Sequence, residues 1–134
     1  VAHEPPRIGA PFIQLVPAVD TDGNDRAGIR MPELVVPLAT QTGWNYRHES
    51  IRAADRLSSE IGSYFVFART KAEREDSGDP RLSIEERYRN KHDYAGRITR
   101  AALDLVNKRY LLAADLPEII NQAGIHYDWV IGKH

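Results

Sequence analysis

Cysteine is absent from this chain of 134 residues, which excludes disulfides, thiolate zinc sites and cysteine nucleophiles together. An excess of one charge is also absent, because 18 basic and 19 acidic residues leave a net charge of -1. That balance gives no global field to attract nucleic acid or anionic lipid. No apolar run approaches the ~20 residues that span a bilayer, and the first residues lack a signal-peptide pattern. We therefore expect neither nucleic-acid nor membrane partners, and cytoplasm is only the default location.

What remains is an ordinary globular composition, with 42% apolar and 28% charged residues. A chain of this length buries roughly two thirds of the surface of its unfolded form, enough for one folded unit. We expect a single domain or fragment over 1–134, with an extended, proline-rich and loop region at 1–68 and a helical region at 69–134. The chain starts with Val1 and not with methionine, which favours a piece trimmed from a longer protein.

Proline is concentrated at the start, with six of the 8 prolines in the first 37 residues. Each proline fixes φ and removes a backbone donor, so we expect no helix in this third. Two extended runs at 12–19 and 28–38 flank a polar turn that contains Asp22-Gly23. Asp-Gly supplies positive φ readily, so the pattern predicts a β-hairpin or, because proline interrupts strand pairing, an extended arm.

Residues 39–68 mix turn chemistry with two short patterns. The segment before Gly62 permits a short helix that ends at that glycine, and the apolar run at 63–68 has the length of a strand. We expect a loop region that contains these two short elements.

Helix signals dominate the last third of the sequence. Ser83 and Asn90 each lie three residues before an acidic side chain, which is the spacing of a helix N-terminal cap. Apolar residues then recur with helical period to about Tyr110, and again from Asp115 until Gly132. The two long helices are expected to pair antiparallel. The predicted fold class is α+β, mostly α in the C-terminal half, with an extended arm or hairpin, a loop region and two to four helices.

A cluster of oxygen ligands at Asp20, Asp22, Asn24 and Asp25 is a candidate calcium site, because calcium prefers hard oxygen ligands. The positions of its glycine and of the following acidic residues do not match an EF-hand loop. A solvated turn is the alternative interpretation.

A second candidate is a small-ligand site formed by Trp44, Asn45, His48 and Arg69, since aromatic rings and an arginine can form a rigid binding wall. The alternative is that the aromatic residues pack the core of the chain or an interface. The five histidines show no metal-binding spacing on one helix face.

Catalytic patterns are weak. No serine occurs in a Gly-x-Ser-x-Gly setting, and Ser63 after a glycine is the nearest approach. Acidic pairs such as Glu73 with Glu75, or Glu85 with Glu86, belong to a charge-rich stretch that is typical of a solvated surface. Phosphate-binding glycine loops are missing as well, so no cofactor is expected.

Two long motifs carry a resemblance to a known family. They are DTDGNDRAGIRMPELVVPLATQTGWN at 20–45 and GSYFVFARTKAEREDSGDPRLSIEERY at 62–88. Both are similar to the C-terminal region of large bacterial proteins assigned to an α/β-hydrolase family of unknown activity. The similarity extends over about residues 10 to 131, and Val66 stands where we expect a proline in the family.

The resemblance implies a longer parent protein in which the serine-hydrolase triad lies upstream of this segment. No catalytic position can therefore be carried over. The matching residues most open to a function are Asp22, Asn24, Glu33, Thr42, Gly43, Trp44, Asn45 and Arg69. The expected role is a non-catalytic accessory region that packs on the missing hydrolase core or self-associates. There are two alternatives. The chain could be part of an esterase-like serine hydrolase, or it could be a small-ligand or calcium-binding module.

Overall fold

The computed structural model describes residues 9–10, 13–51, 54, 56–58 and 61–132. Two small antiparallel sheets lie in the first half, and the longer helices follow in the second half. The elements are α1 (Pro32–Val35), β1 (Ala39–Thr42), β2 (Asn45–Tyr46), β3 (Leu57–Ser58), β4 (Ser63–Val66), α2 (Lys71–Ser77), α3 (Ile84–Arg87), α4 (Lys91–Asn107) and α5 (Leu116–Val130). The α+β prediction with its helical C-terminal half is confirmed.

Each sheet consists of two strands. β1 pairs with β4, with Thr40 opposite Phe65, and β2 pairs with β3. The predicted strand at 63–68 is thus confirmed in β4. The predicted helix that ends at Gly62 is wrong where it can be judged, because residues 57–58 form β3. The rest of that segment, at 52–53, 55 and 59–60, lies outside the described residues.

The expectation of no helix in the first third is also wrong, because α1 forms there. Pro32 occupies the first turn of α1, where a backbone N–H needs no partner in the helix and φ is already helical. The helix ends after one turn, at the C-cap Val36. Proline starts this helix instead of preventing it.

The hairpin alternative fails for a different reason. Among the described residues, only Val19 and Asp25 form an antiparallel bridge across the turn, and α1 occupies part of the second extended run. Residues 13–18 belong to no helix or strand, and we call them the arm. The prediction of an extended arm is the one that holds.

Side-chain caps fix the starts of α3 and α4. Ser83 forms a full capping box with Glu86, and the Asn90 side chain accepts a hydrogen bond from the Asp93 N–H at 3.0 Å. α4 ends at Asn107 and not near Tyr110, and the chain turns at Arg109 with φ of 63°.

The hydrophobic core joins both halves of the chain. Its buried members are Val36, Leu38, Phe67, Ile84, Tyr88, Tyr94, Ile98, Ala123, Tyr127 and Val130. The start of α4 lies beside the end of α5, since the Lys91 ammonium is 2.5 Å from Asp128. The helices are therefore antiparallel, as predicted. Of the described helices, none is long and apolar enough to cross a membrane.

Candidate functional site

The loop at 20–25 is a closed turn held by its own side chain. The Asp20 Oδ1 atom accepts the N–H groups of Asp22 at 2.9 Å and of Asn24 at 3.0 Å. Such Asx bonds replace the backbone pairing of a regular element. Gly23 adopts φ of 80°, a left-handed conformation that a residue with Cβ adopts only at a cost.

Asn24 is fully buried and completes the outer edge of β1. Its side-chain N–H donates to the Ala39 carbonyl at 3.2 Å, and its Oδ1 accepts the Gln41 N–H at 2.7 Å. One amide thus satisfies a donor and an acceptor that would otherwise be buried without partners. The role of Asn24 in this structure is to close the sheet edge.

Asp22 binds the helical half of the protein. Its carboxylate accepts two hydrogen bonds from the Arg87 guanidinium, one of them at 2.8 Å. That guanidinium lies 4.2 Å from the ring centre of Phe67. A bidentate and stacked arginine of this kind is geometrically specific, and lysine cannot replace it.

Arg81 reinforces the same junction. It forms an ion pair with Asp79 at 2.6 Å and donates to the Thr40 hydroxyl at 2.7 Å. The hydrogen bonds from Arg81 are the main reason that the pKa of Asp79 is lowered. Together, these bonds fasten the loop and β1 to the segment around α3.

Three of the four side chains in the calcium prediction already have partners. Asp20 forms an ion pair with Arg30 at 2.8 Å, and Asp22 is held by Arg87. Asp25 has a buried Oδ1 atom with no hydrogen-bond partner in the described segments. Within the part of the chain that the structure describes, no group of three or more acidic or histidine residues is arranged to hold a metal ion. Calcium binding stays a prediction.

Residues 43–44 connect β1 to β2, and we call this segment with Asn45 the Trp44 loop. One backbone carbonyl organises it. The Trp44 carbonyl accepts the hydroxyls of Thr42 at 2.6 Å and of Ser63 at 2.9 Å. The indole N–H of Trp44 is buried without a partner among the described residues. Asn45 bonds to the neighbouring backbone, with its Oδ1 atom 2.8 Å from the Tyr46 nitrogen.

Ser63 and His48 are the serine and histidine to consider as a nucleophile and its base, and both have other bonds in this structure. The Ser63 hydroxyl donates to the carbonyl of Trp44, and the His48 Nδ1 atom lies 2.8 Å from the Ser50 hydroxyl. A base that activates a nucleophile must lie within hydrogen-bond reach of it. The structure places neither residue in such a pair.

Arg69 lies just before α2 and is bonded to its first turn. It forms an exposed ion pair with Glu73 at 2.7 Å, and this hydrogen bond and charge raise the pKa of Arg69. It lines an open cleft of about 550 Å³ together with Trp129 and Asp79. Trp44, Asn45 and His48 are not among the residues that line this cleft, and the small-ligand site stays a prediction.

The members of the acidic pairs form ion pairs or helix caps. Hydrogen bonds from Arg74 and Ser83 lower the pKa of Glu86 to about 2. A carboxylate that stays ionised at neutral pH cannot act as a general acid. Glu85 accepts the Lys71 backbone N–H at 3.0 Å, which is a capping role.

Sequence reasoning missed one cluster, formed by Tyr64, His126 and Trp129. The Tyr64 hydroxyl is hydrogen-bonded to the His126 Nε2 atom, and the His126 ring stacks on Trp129 with centres 6.0 Å apart. Burial lowers the pKa of His126 and raises the pKa of Tyr64, while the charge of Glu33 opposes the shift of His126. Tyr64 and His126 are 62 positions apart, so no local spacing could have revealed the contact.

Comparison with known proteins places the chain in a family. A family model described as an alpha/beta hydrolase domain matches residues 2–121. This match spans most of the chain, so the chain belongs to the alpha/beta hydrolase domain family. Searches of curated proteins and of solved structures found no match.

Proposed function

We propose that this chain is a non-catalytic accessory region of an alpha/beta hydrolase protein. In this proposal it corresponds to the C-terminal part of a large bacterial protein and packs on the hydrolase core or on a second copy. The arm carries the proposal, because Ile13 and Leu15 are 90% and 87% exposed there. Exposed apolar side chains on a segment outside any sheet are stabilised when a neighbouring surface covers them.

The chemistry of the family supports the non-catalytic part of the proposal. Alpha/beta hydrolases hold their serine on a Gly-x-Ser-x-Gly turn between a strand and a helix. The chain has no such sequence. In the described segments the strands pair only antiparallel, and the Ser63 hydroxyl is bonded to a backbone carbonyl. Within the 20–45 motif, Asn24 fastens the loop to β1 and Asp22 fastens it to α3.

Hydrolysis of short-chain nitrophenyl esters tests this directly. We expect no turnover by the purified chain above the buffer rate. The Ser63→Ala variant is the matched control, because it removes the only serine with a preceding glycine. Turnover that is lost in this variant would overturn the proposal.

The reading frame upstream of Val1 provides a second test. The proposal expects it to encode a strand, a Gly-x-Ser-x-Gly turn and a helix. If that frame is read and holds no such element, the assignment to a hydrolase accessory region is wrong.

A further inference from the structure

We infer that the arm of a second copy of this chain adds to the outer edge of β4 as a third strand. The arm segment in question is 13–16, and the acceptor is Ser63–Val66. This inference rests on the proposed function only in taking the arm as the contact element. It names the partner and the surface that the arm binds.

The hydrogen bonds of β1 establish which edge of the sheet is open. Ala39 and Gln41 turn their backbone groups towards Asn24, so Thr40 between them faces β4. Thr40 is opposite Phe65, and therefore the N–H and C=O groups of Tyr64 and Val66 point away from β1.

The two edges of this sheet differ in what covers them. Asn24 closes the edge of β1. At the edge of β4, no described residue bonds to the backbone groups of Tyr64 or Val66. Unpaired edge groups of this kind form a template for an additional strand.

The arm has the properties of such a strand. The Gln14 side chain accepts the Leu57 N–H at 2.7 Å, so it points towards the body of its own chain. Ile13 and Leu15 are almost fully exposed, as expected where successive side chains of an extended segment alternate in direction. The arm thus presents two apolar side chains outwards on one face.

Length and side-chain chemistry of the two segments agree. The arm offers four residues before Pro17, which has no N–H and ends strand pairing. β4 also has four residues, and Phe65 on its outer face is 58% exposed. Ile13 and Leu15 would cover this ring in the three-stranded sheet, as alternate side chains do when a peptide adds to a sheet edge.

A second copy is the occupant that these features favour. Every copy carries both the arm and the open edge, so two copies can exchange arms and form the contact twice. The two-fold arrangement leaves neither an arm nor a β4 edge unpaired. An arm that folds back onto β4 of its own chain is the competing arrangement, and the experiment separates the two.

Because the chain contains no cysteine, an introduced cysteine is its only thiol, and disulfide cross-linking reports on that position alone. Three single variants are prepared, which are Leu15→Cys, Phe65→Cys and Leu103→Cys. In each mixture of two variants, the two chains carry tags of different size. Leu103 is an exposed apolar residue on α4 and provides the matched control. Mixtures are incubated in a glutathione redox buffer, and the disulfide-linked species are resolved by size.

We expect the Leu15→Cys and Phe65→Cys mixture to form the mixed disulfide at least tenfold faster than the Leu15→Cys and Leu103→Cys mixture. Light scattering should give the mass of two chains for the unmodified protein. The Leu15→Lys variant should weaken the dimer about tenfold or more, because it removes the burial of one leucine per site.

Three results would overturn the inference. They are equal cross-linking rates in the two mixtures, an intramolecular disulfide in the Leu15→Cys, Phe65→Cys double variant at high dilution, and a monomer at all concentrations. None of these produces ester turnover, so the inference can fail while the proposed accessory role stands. Turnover by the purified chain would overturn the accessory role and leave the arm exchange unaffected.

Discussion

Replacement of Gly23 by alanine tests whether the loop at 20–25 is packed as tightly on β1 as the structure shows. A Cβ atom at this position would lie 2.8 Å from the Cγ2 atom of Thr40. Gly28 provides a matched control, because its φ of 82° is nearly the same as the 80° of Gly23, and nothing lies within 4 Å of its Cβ position.

The two variants separate backbone strain from steric contact. A left-handed residue with a side chain costs about 1–2 kcal/mol, and both variants carry this cost. Overpacking adds about 1–3 kcal/mol only at Gly23. We expect Gly28→Ala to lose about 1–2 kcal/mol and Gly23→Ala about 2–5 kcal/mol of unfolding free energy. At roughly 4 °C per kcal/mol, the melting temperatures should fall by about 4–8 °C and about 8–20 °C.

A double-mutant cycle with Thr40→Ser completes the test. Serine keeps the hydroxyl that donates to the Asp22 carbonyl but removes the methyl group that the new Cβ would meet. The interaction energy between Gly23→Ala and Thr40→Ser should therefore be favourable by about 1–3 kcal/mol. Urea denaturation of the four proteins measures it. If Gly23→Ala is no less stable than Gly28→Ala, the close contact with Thr40 is absent and the reasoning is refuted.

Three further predictions concern stability. Asn24→Ala leaves buried backbone groups of β1 without partners and should cost about 2–4 kcal/mol in urea denaturation; a loss below about 1 kcal/mol would show that water replaces the amide. Ser83→Ala removes a helix cap and should cost about 1 kcal/mol, while Ser77→Ala at the exposed end of α2 should stay within about 0.5 kcal/mol; equal losses would contradict the capping role. Burial lowers the pKa of His126, so the unfolded state binds its proton first as the pH falls. The free energy of unfolding should not depend on this group well above pH 6.5. It should decrease as the pH falls from 6.5 towards the pKa of His126 in the folded state. Urea midpoints at several pH values should fall more steeply in the natural chain than in His126→Gln, and parallel curves would contradict burial of the ring.

The contacts of the candidate site residues explain why the sequence alone does not predict their roles. Asp20, Asp22 and Asn24 have the oxygen atoms that a calcium site needs, and the sequence cannot show that Arg30, Arg87 and β1 use those atoms. Asp22 and Arg87 are 65 positions apart. Only the folded chain determines whether such a carboxylate is available to a ligand.

The helical half could be predicted because its signals are local. The Ser83 side chain and the backbone N–H that it caps are three residues apart, so one turn of chain contains the whole interaction. The same holds for Asn90 and for the apolar period of α4 and α5. The first third was harder, because proline both breaks and starts helices, and Pro32 starts one.

The sequence by itself determined the α+β class, the capped helices and the absence of a serine elbow, since these depend on residue types and short spacings. Tertiary structure alone decided that β1 pairs with β4, that Asn24 closes one sheet edge, and that Tyr64 meets His126. Each of these contacts joins residues at least 15 positions apart. The physical reason is that burial in one core, and not local propensity, selects which distant polar groups become partners.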